Sequence, residues 1–254
     1  MNKRIFILIF AALVFFSGLL VCCFPNIHGS YVDYTLKDDA KDFLKQVDTA
    51  QASIPTSCSA RLDDTGSSPT ALETIPHSQL WADMRTYNRM IYENGQTSLT
   101  SELAYEQPSF YLADYGLDSE IFGVISIPSL DIELPIYLGA NSSHINSGVA
   151  HLSQTSLPIG GANTNSVIAG HRGWDGALFF RYITDLVYGD TVTITNLWGT
   201  LHYTVIDTKI IEPNEVEQIL IQPGKELLTL LTCHPYASGG KQRYLVICER
   251  SVHE

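Results

Sequence analysis

The sequence predicts a mostly β domain, a closed or sandwich-like fold, behind a single N-terminal membrane-spanning helix. Three observations carry this expectation. An uncharged run from Ile5 to Phe24 follows Lys3 and Arg4. From Ile121 to Glu249, short apolar and β-branched runs recur between turn residues. That same region contains few stretches with a helical period.

The N-terminal run is interrupted only by Ser17 and Gly18. As a helix it spans roughly 30 Å, the thickness of a bilayer core. Its nearby basic residues lie on the N-terminal side, and the next one, Lys37, follows Asp33. The positive-inside rule therefore sets the N-terminus in the cytoplasm and the remainder outside, anchored through residues 5–24. A cleaved signal is the competing reading. No small-x-small site follows Val21, and Val21 and Cys22 are not the small residues that precede a lipidated cysteine. Under either reading the domain is extracytoplasmic.

The chain is acidic, with a formal charge of −12. It has no run of Lys and Arg to neutralise phosphates, so nucleic acid is not an expected partner. Its five cysteines are Cys22, Cys23, Cys58, Cys233 and Cys248. The three beyond the membrane run are too few for a disulfide framework and leave an odd thiol.

Beyond Pro25, Tyr34–Ala52 reads as a helix, with Ala40, Phe43, Leu44 and Val47 at helical spacing. Ser53–Pro76, rich in Ser, Thr, Pro, Asp and Gly, reads as a linker. A second helix follows from Ser78, its expected cap, to Glu93, with Leu80, Met84, Tyr87 and Ile91 on one face. Gln96–Asp118 has no clear period. Strands are expected at 121–127, 132–138, 165–170, 191–197, 201–211, 226–232 and 242–249, with a short helix over 177–186. The organisation is thus an anchor and flank over 1–30, a helical and loop extension over 31–118, and a β domain over 119–254.

The chemistry concentrates at strand ends. Glu226–Thr232 is apolar almost throughout and reads as a buried strand, and Cys233 stands where it stops. A thiol there is held by a rigid element yet faces solvent. A free thiol titrates at about 8.5, so a nucleophilic cysteine needs a base or cation nearby. His171 lies just past another apolar strand, flanked by Gly170 and Gly173. Arg243 follows the Ser238-Gly239-Gly240 turn, and a hairpin about that turn returns it alongside Cys233. Strand parity sets Arg243, Leu245 and Ile247 on one face and Cys248 on the other, which makes Cys248 a core residue.

These residues resemble the sortase family. The resemblance rests on Gly170-His171-Arg172-Gly173, on Thr229-Leu230-Leu231-Thr232-Cys233, and on an arginine ten residues later. Gly123–Pro128, Leu134–Tyr137 and His151–Pro158 agree with the family in order and spacing. The match covers about half the chain. It implies an eight-stranded sortase-type β-barrel with short helices, preceded by the transmembrane helix and the helical and loop extension. It implies transpeptidation at a Leu-Pro-x-Thr-Gly-like sorting signal. Cys233 would form a thioacyl enzyme, His171 would act as general acid and base, and Arg243 would hold the substrate and stabilise the oxyanion. The amine acceptor would be a pilin lysine or a peptidoglycan precursor, with no metal or organic cofactor.

The long extension and Thr232-Cys233-His234-Pro235-Tyr236 look most like class C, the pilin-polymerising sortases. Their lids often carry an Asp-Pro-aromatic motif, which is missing. The nearest segment is 105–110, with Tyr105, Pro108 and Phe110 as lid candidates. Many class C members have a second, C-terminal membrane helix, and no such run precedes Glu254. Both departures leave open a housekeeping role, attaching single proteins to the wall.

Two further readings stand beside this one. A secreted cysteine protease would pass the acyl group to water, although cysteine precedes histidine in the papain type and the caspase Gln-Ala-Cys signature is absent. A membrane-tethered β domain would bind a partner without catalysis. A zinc variant with Cys233, His234 and His171 lacks paired ligand spacing. His28, His77, His144, His151, His202 and His253 read as structural or exposed.

Overall fold

The computed structural model describes residues 3–52, 75–100 and 105–251. The expected linker falls largely on 53–74, outside the described residues, as do Cys58 and His253.

Helix α1 (Lys3–Ala52) is continuous over 50 residues with Pro25 inside it. The sequence reading separates the membrane run from a helix starting at Tyr34, and the structure joins them. Pro25 forgoes one amide hydrogen bond, but packing holds the helix beyond it. Leu36, Ala40, Phe43 and Val47 form a buried stripe at helical spacing against the first two strands. Lys37 Nζ meets Asp131 Oδ2 at 2.6 Å on the same side. From Ile7 to Phe24 the large apolar side chains are exposed, and this helix is long and apolar enough to cross a membrane.

The C-terminal half is a closed eight-stranded barrel of β1 (Ile121–Ile127), β2 (Ile132–Leu138), β3 (Val149–His151), β4 (Thr164–Ala169), β5 (Thr191–Asn196), β6 (Gly199–Ile211), β7 (Glu226–His234) and β8 (Gln242–Arg250). Their order around the barrel is β1-β2-β3-β4-β7-β8-β6-β5. Neighbours are antiparallel except β2–β3 and β4–β7, which are parallel. The missed strand is β3. Its three residues are too short to show an alternating pattern, and its place is set by pairing alone.

Alternation sorts the two faces. Ile168 of β4, Leu228 and Leu230 of β7, and Val246 and Cys248 of β8 point into the barrel core. Cys248 is fully buried there, as parity requires, and burial pushes its thiol pKa up. Phe179, Phe180, Ile183 and Leu186 from the β4–β5 connection complete that core. This connection was expected to hold a helix over 177–186. Instead Phe179 takes a left-handed φ of 44°, which breaks a helical path, and only a 3-10 turn forms at Ile183–Asp185.

Helix α2 (Ser78–Glu93) lies where expected, and buries Leu80, Met84, Asn88 and Ile91. Its cap is His77 in a left-handed conformation, without a side-chain hydrogen bond, and not Ser78. Asn88 substitutes for a strand neighbour: its amide donates to the Leu157 carbonyl at 3.1 Å, and its Oδ1 accepts from Leu157 N at 2.7 Å. A short helix α3 (Ser142–Asn146) follows β2, with Asn141 Oδ1 accepting from His144 N.

His151 is wholly buried and donates from Nε2 to the Ser156 carbonyl at 2.9 Å, while Nδ1 has no partner. Burial lowers its pKa to about 4. Its folded value lies below its unfolded one. Its stabilising contribution is therefore complete above about pH 6.5 and is lost as pH falls toward 4. Between pH 7 and pH 4.5, urea unfolding of His151→Leu should lose roughly 2 to 3 kcal/mol less stability than wild type. Parallel pH curves for the two proteins would contradict this.

Candidate functional site

The site is assembled by the outward-facing residues of three adjacent strands. On β4, Val167 and Ala169 face outward, and a two-residue step carries the same face to His171. On β7 that face holds Leu231 and then Cys233. On β8 it holds Leu245 and Arg243. The apolar members form one cluster with Leu99, Leu152, Ile211 and Ile219. The three candidate side chains, His171, Cys233 and Arg243, lie where this cluster ends.

Backbone pairing fixes their proximity. Cys233 is the register partner of Arg243 in the β7–β8 hairpin. β4 and β7 are parallel, with Ala169 opposite Leu231. Past the last paired residues, Gly170 N donates to the Leu231 carbonyl at 3.0 Å, and Thr232 Oγ1 donates to the Gly170 carbonyl at 2.8 Å. His171 and Cys233 are the next residue on each strand. Gly170 admits no side chain, because a Cβ would lie 2.7 Å from the Phe180 ring.

His171 is held from several sides. Its Nε2–H donates to Asn146 Oδ1 at 2.8 Å. Its ring stacks on Trp174, with centroids 4.8 Å apart, and meets the Phe179 ring edge-on at 5.8 Å. Burial lowers its pKa, which favours the neutral imidazole. With the hydrogen on Nε2, Nδ1 is the nitrogen free to exchange a proton. Asn146, Trp174 and Phe179 were not legible as partners in the sequence. Asn146 comes from α3, 25 residues upstream, and no local pattern links it to His171.

Arg243 donates from one guanidinium nitrogen to the carbonyls of Gly240, at 2.6 Å, and Gln242, at 3.2 Å. The other arginines near these segments are engaged elsewhere. Arg172 donates to His234 Nδ1 at 2.7 Å and to Thr184 Oγ1 at 3.3 Å. Arg181 lies over the Tyr236 ring, 4.4 Å from its centroid. Arg250 pairs with Glu226 at 3.3 Å, at the far end of β7. Desolvation, and then the Arg172 charge, lower the pKa of His234. Its ring stacks with Tyr244, on the opposite parity to Cys233.

The lid candidates divide. Tyr105 packs into the outer-face cluster and its hydroxyl donates to the Leu99 carbonyl at 2.6 Å. Pro108 is seated against Gly139, and Phe110 lies beside Tyr87 and Tyr115 in the cluster under α2. The described contacts therefore bring Tyr105, and neither Pro108 nor Phe110, to the surface that leads to Cys233. Among the described residues, no group of three or more His, Cys, Asp or Glu could hold a metal ion.

Gly240 closes the hairpin at φ 77°, and a Cβ there would lie 3.3 Å from Cys233 Sγ and 3.2 Å from the Arg243 guanidinium. Its neighbour Gly239, at φ 72°, faces open space. Substituting either with Ala should cost about 1 to 3 kcal/mol through backbone strain. Only Gly240→Ala should also slow alkylation of Cys233 in the folded protein. Equal labelling rates in the two variants would show that Gly240 does not border the thiol.

Residues 125–251 match the sortase domain family. Sortase D of Bacillus subtilis is 31% identical over 130 residues, which cover 50% of this chain and 63% of that protein. The chain thus spans a little under two thirds of that relative's length. The crystal structure of sortase C-1 from Actinomyces oris is similar at TM-score 0.58 and 32% identity, covering 69% of this chain and 99% of that one. The sortase C1 of GBS Pilus Island 1 gives TM-score 0.61 and 29% identity, covering 73% and 95%.

Proposed function

The chain belongs to the sortase family, and from that premise we propose that it is an extracytoplasmic cysteine transpeptidase of the class C type. In this reading it cleaves a Leu-Pro-x-Thr-Gly-like sorting signal and joins the new acyl end to a pilin lysine. The observation that carries the reading is the shared outward face on which His171, Cys233 and Arg243 end three neighbouring strands.

The chemistry follows from that arrangement. The Cys233 proton passes to His171, and the thiolate attacks the Thr carbonyl carbon, forming the C–S bond. The oxygen becomes an oxyanion beside the Arg243 guanidinium, a fixed cation suited to developing charge. As the C–N bond breaks, imidazolium returns its proton to the departing Gly amine. An incoming amine attacks the thioester and gives its proton to His171. The amide forms and the thiolate leaves. Asn146 holds the imidazole plane throughout, as a positioning residue.

The outer-face cluster supports the substrate assignment. Val167, Ala169, Leu231 and Leu245 make an apolar track that ends at Cys233, which suits the Leu-Pro part of such a signal. Leu99 and Tyr105 occupy that track, and we assign them the role of a cover that the signal displaces. The likeness to a sortase of a pilus island favours pilin as acceptor over a wall precursor.

The full chain in detergent, given a Leu-Pro-x-Thr-Gly peptide and a lysine-containing pilin peptide, should show a thioester on Cys233 and an amide product by mass spectrometry. Cys233→Ala should show neither, and Tyr105→Ala should form the thioester faster than wild type. Transfer to a peptidoglycan stem peptide alone would favour wall attachment. Release to water alone would favour a protease. Absence of the thioester in both wild type and Tyr105→Ala would overturn the enzyme reading.

A further inference from the structure

The helix read as a membrane span touches the loop that holds His171. Beyond the apolar run, α1 presents Pro25, His28, Gly29 and Asp33 to residues 175–178. A Cβ on Gly176 would lie 2.5 Å from the Pro25 carbonyl oxygen and 3.0 Å from Gly29 Cα, so loop and helix backbones are in direct contact. His28 Nε2 meets Asp175 Oδ2 at 2.8 Å. Leu178 N donates to Asp33 Oδ1 at 2.9 Å. Further along the same face, Leu36, Ala40, Phe43 and Val47 seat the helix on the barrel. The connection between membrane and barrel is thus a docked rigid helix.

Helical rise turns this into a height. At 1.5 Å per residue, His28 stands roughly 6 Å beyond Phe24 and Asp33 roughly 13 Å beyond it. The polar headgroup layer is about 5 to 8 Å deep on each side of the hydrocarbon core. With α1 along the bilayer normal and Phe24 at the edge of the hydrocarbon core, the 174–178 loop lies at the level of the headgroups or just above them.

That loop and its neighbour carry large exposed side chains of the kind enriched at lipid interfaces. Trp174 and Tyr236 are each 50% exposed, and Leu178 and Tyr182 somewhat less. Arg181 links them, lying over the rings of both Tyr236 and Tyr182. Gly173 closes the patch, since its Cβ would sit 3.5 Å from the Tyr236 ring and 3.7 Å from Arg181 Cδ. Trp174 is also the ring stacked on His171.

We propose that Trp174, Leu178, Tyr182 and Tyr236 rest in the phospholipid interface on the barrel's side of the membrane, with Arg181 at the headgroup phosphates. The site then opens against the bilayer surface, and substrates that are themselves membrane-bound meet it there. The occupant is the lipid surface, because the patch continues directly from the helix read as a span. The inference rests on that membrane reading of α1 and does not need the transpeptidase assignment.

The test uses the full chain in nanodiscs of phosphatidylcholine and phosphatidylglycerol, with plain or 6,7-brominated acyl chains. Trp174 is one of three tryptophans, and the other two, Trp81 and Trp198, contact each other beside α2, outside the patch. After subtraction of matching empty discs, brominated lipid should reduce the chain's emission by up to about one third, the share of one tryptophan in three. The loss should vanish in Trp174→Phe and return when Tyr182→Trp is added to that variant. If brominated and plain discs give equal emission for both wild type and the Tyr182→Trp reporter, the docking is overturned. Failure of the protein to co-elute with discs would overturn the membrane reading of α1 as well, and is scored separately from quenching.

Discussion

The parallel pairing of β4 with β7 brings the ends of two strands, distant in sequence, to one edge of the barrel. Antiparallel neighbours would have set His171 and Cys233 at opposite edges. The pairing is extended past the ladder by the Gly170 amide and the Thr232 hydroxyl, one residue before each of His171 and Cys233. β8 then returns in a tight hairpin and contributes Arg243 in register with Cys233. The rest of the site follows from alternation. Once Ile168, Leu230 and Val246 are committed to the core, the residues of opposite parity must face outward, and the three candidate groups share that parity.

The core and the site therefore depend on each other. A one-residue slip of β7 would turn Cys233 inward and expose Leu228 and Leu230, so burial of the barrel interior protects the geometry of the thiol. The β4–β5 connection does similar double duty. Phe180 fills the barrel core beside Gly170, while Phe179 contacts His171. The same loop then runs onto α1, so the imidazole, the core plug and the N-terminal helix are linked through one short segment.

Much of this was legible in the sequence, where local chemistry determines structure. The strands with long alternating or apolar runs were placed within a residue or two. Parity correctly sent Cys248 to the core, and the glycine turn correctly returned Arg243 to Cys233. What was not legible depends on contacts between distant segments. β3 exists because β2 and β4 flank it. The 177–186 segment abandons its helical pattern where Phe179 takes a left-handed φ, and both it and Phe180 pack into the barrel core. Asn146 and Trp174 reach His171 only through the fold. Helix α1 continues through Pro25 because a buried stripe and the 175–178 loop hold it, an effect that no single-residue propensity contains. The segment nearest a lid motif was located, but packing divides its members, leaving Tyr105 on the track and drawing Phe110 under α2.

The pairing of His171 with Cys233 across the β4–β7 edge is the central claim, and thioester formation on Cys233 reports on it most directly. Quenched-flow mass spectrometry with a sorting-signal peptide would compare wild type with His171→Ala, after circular dichroism has shown both to be folded. The expected result is thioester formation slowed by about a hundredfold or more in the variant, the contribution of a positioned acid–base group. An unchanged rate in a folded His171→Ala protein would contradict it.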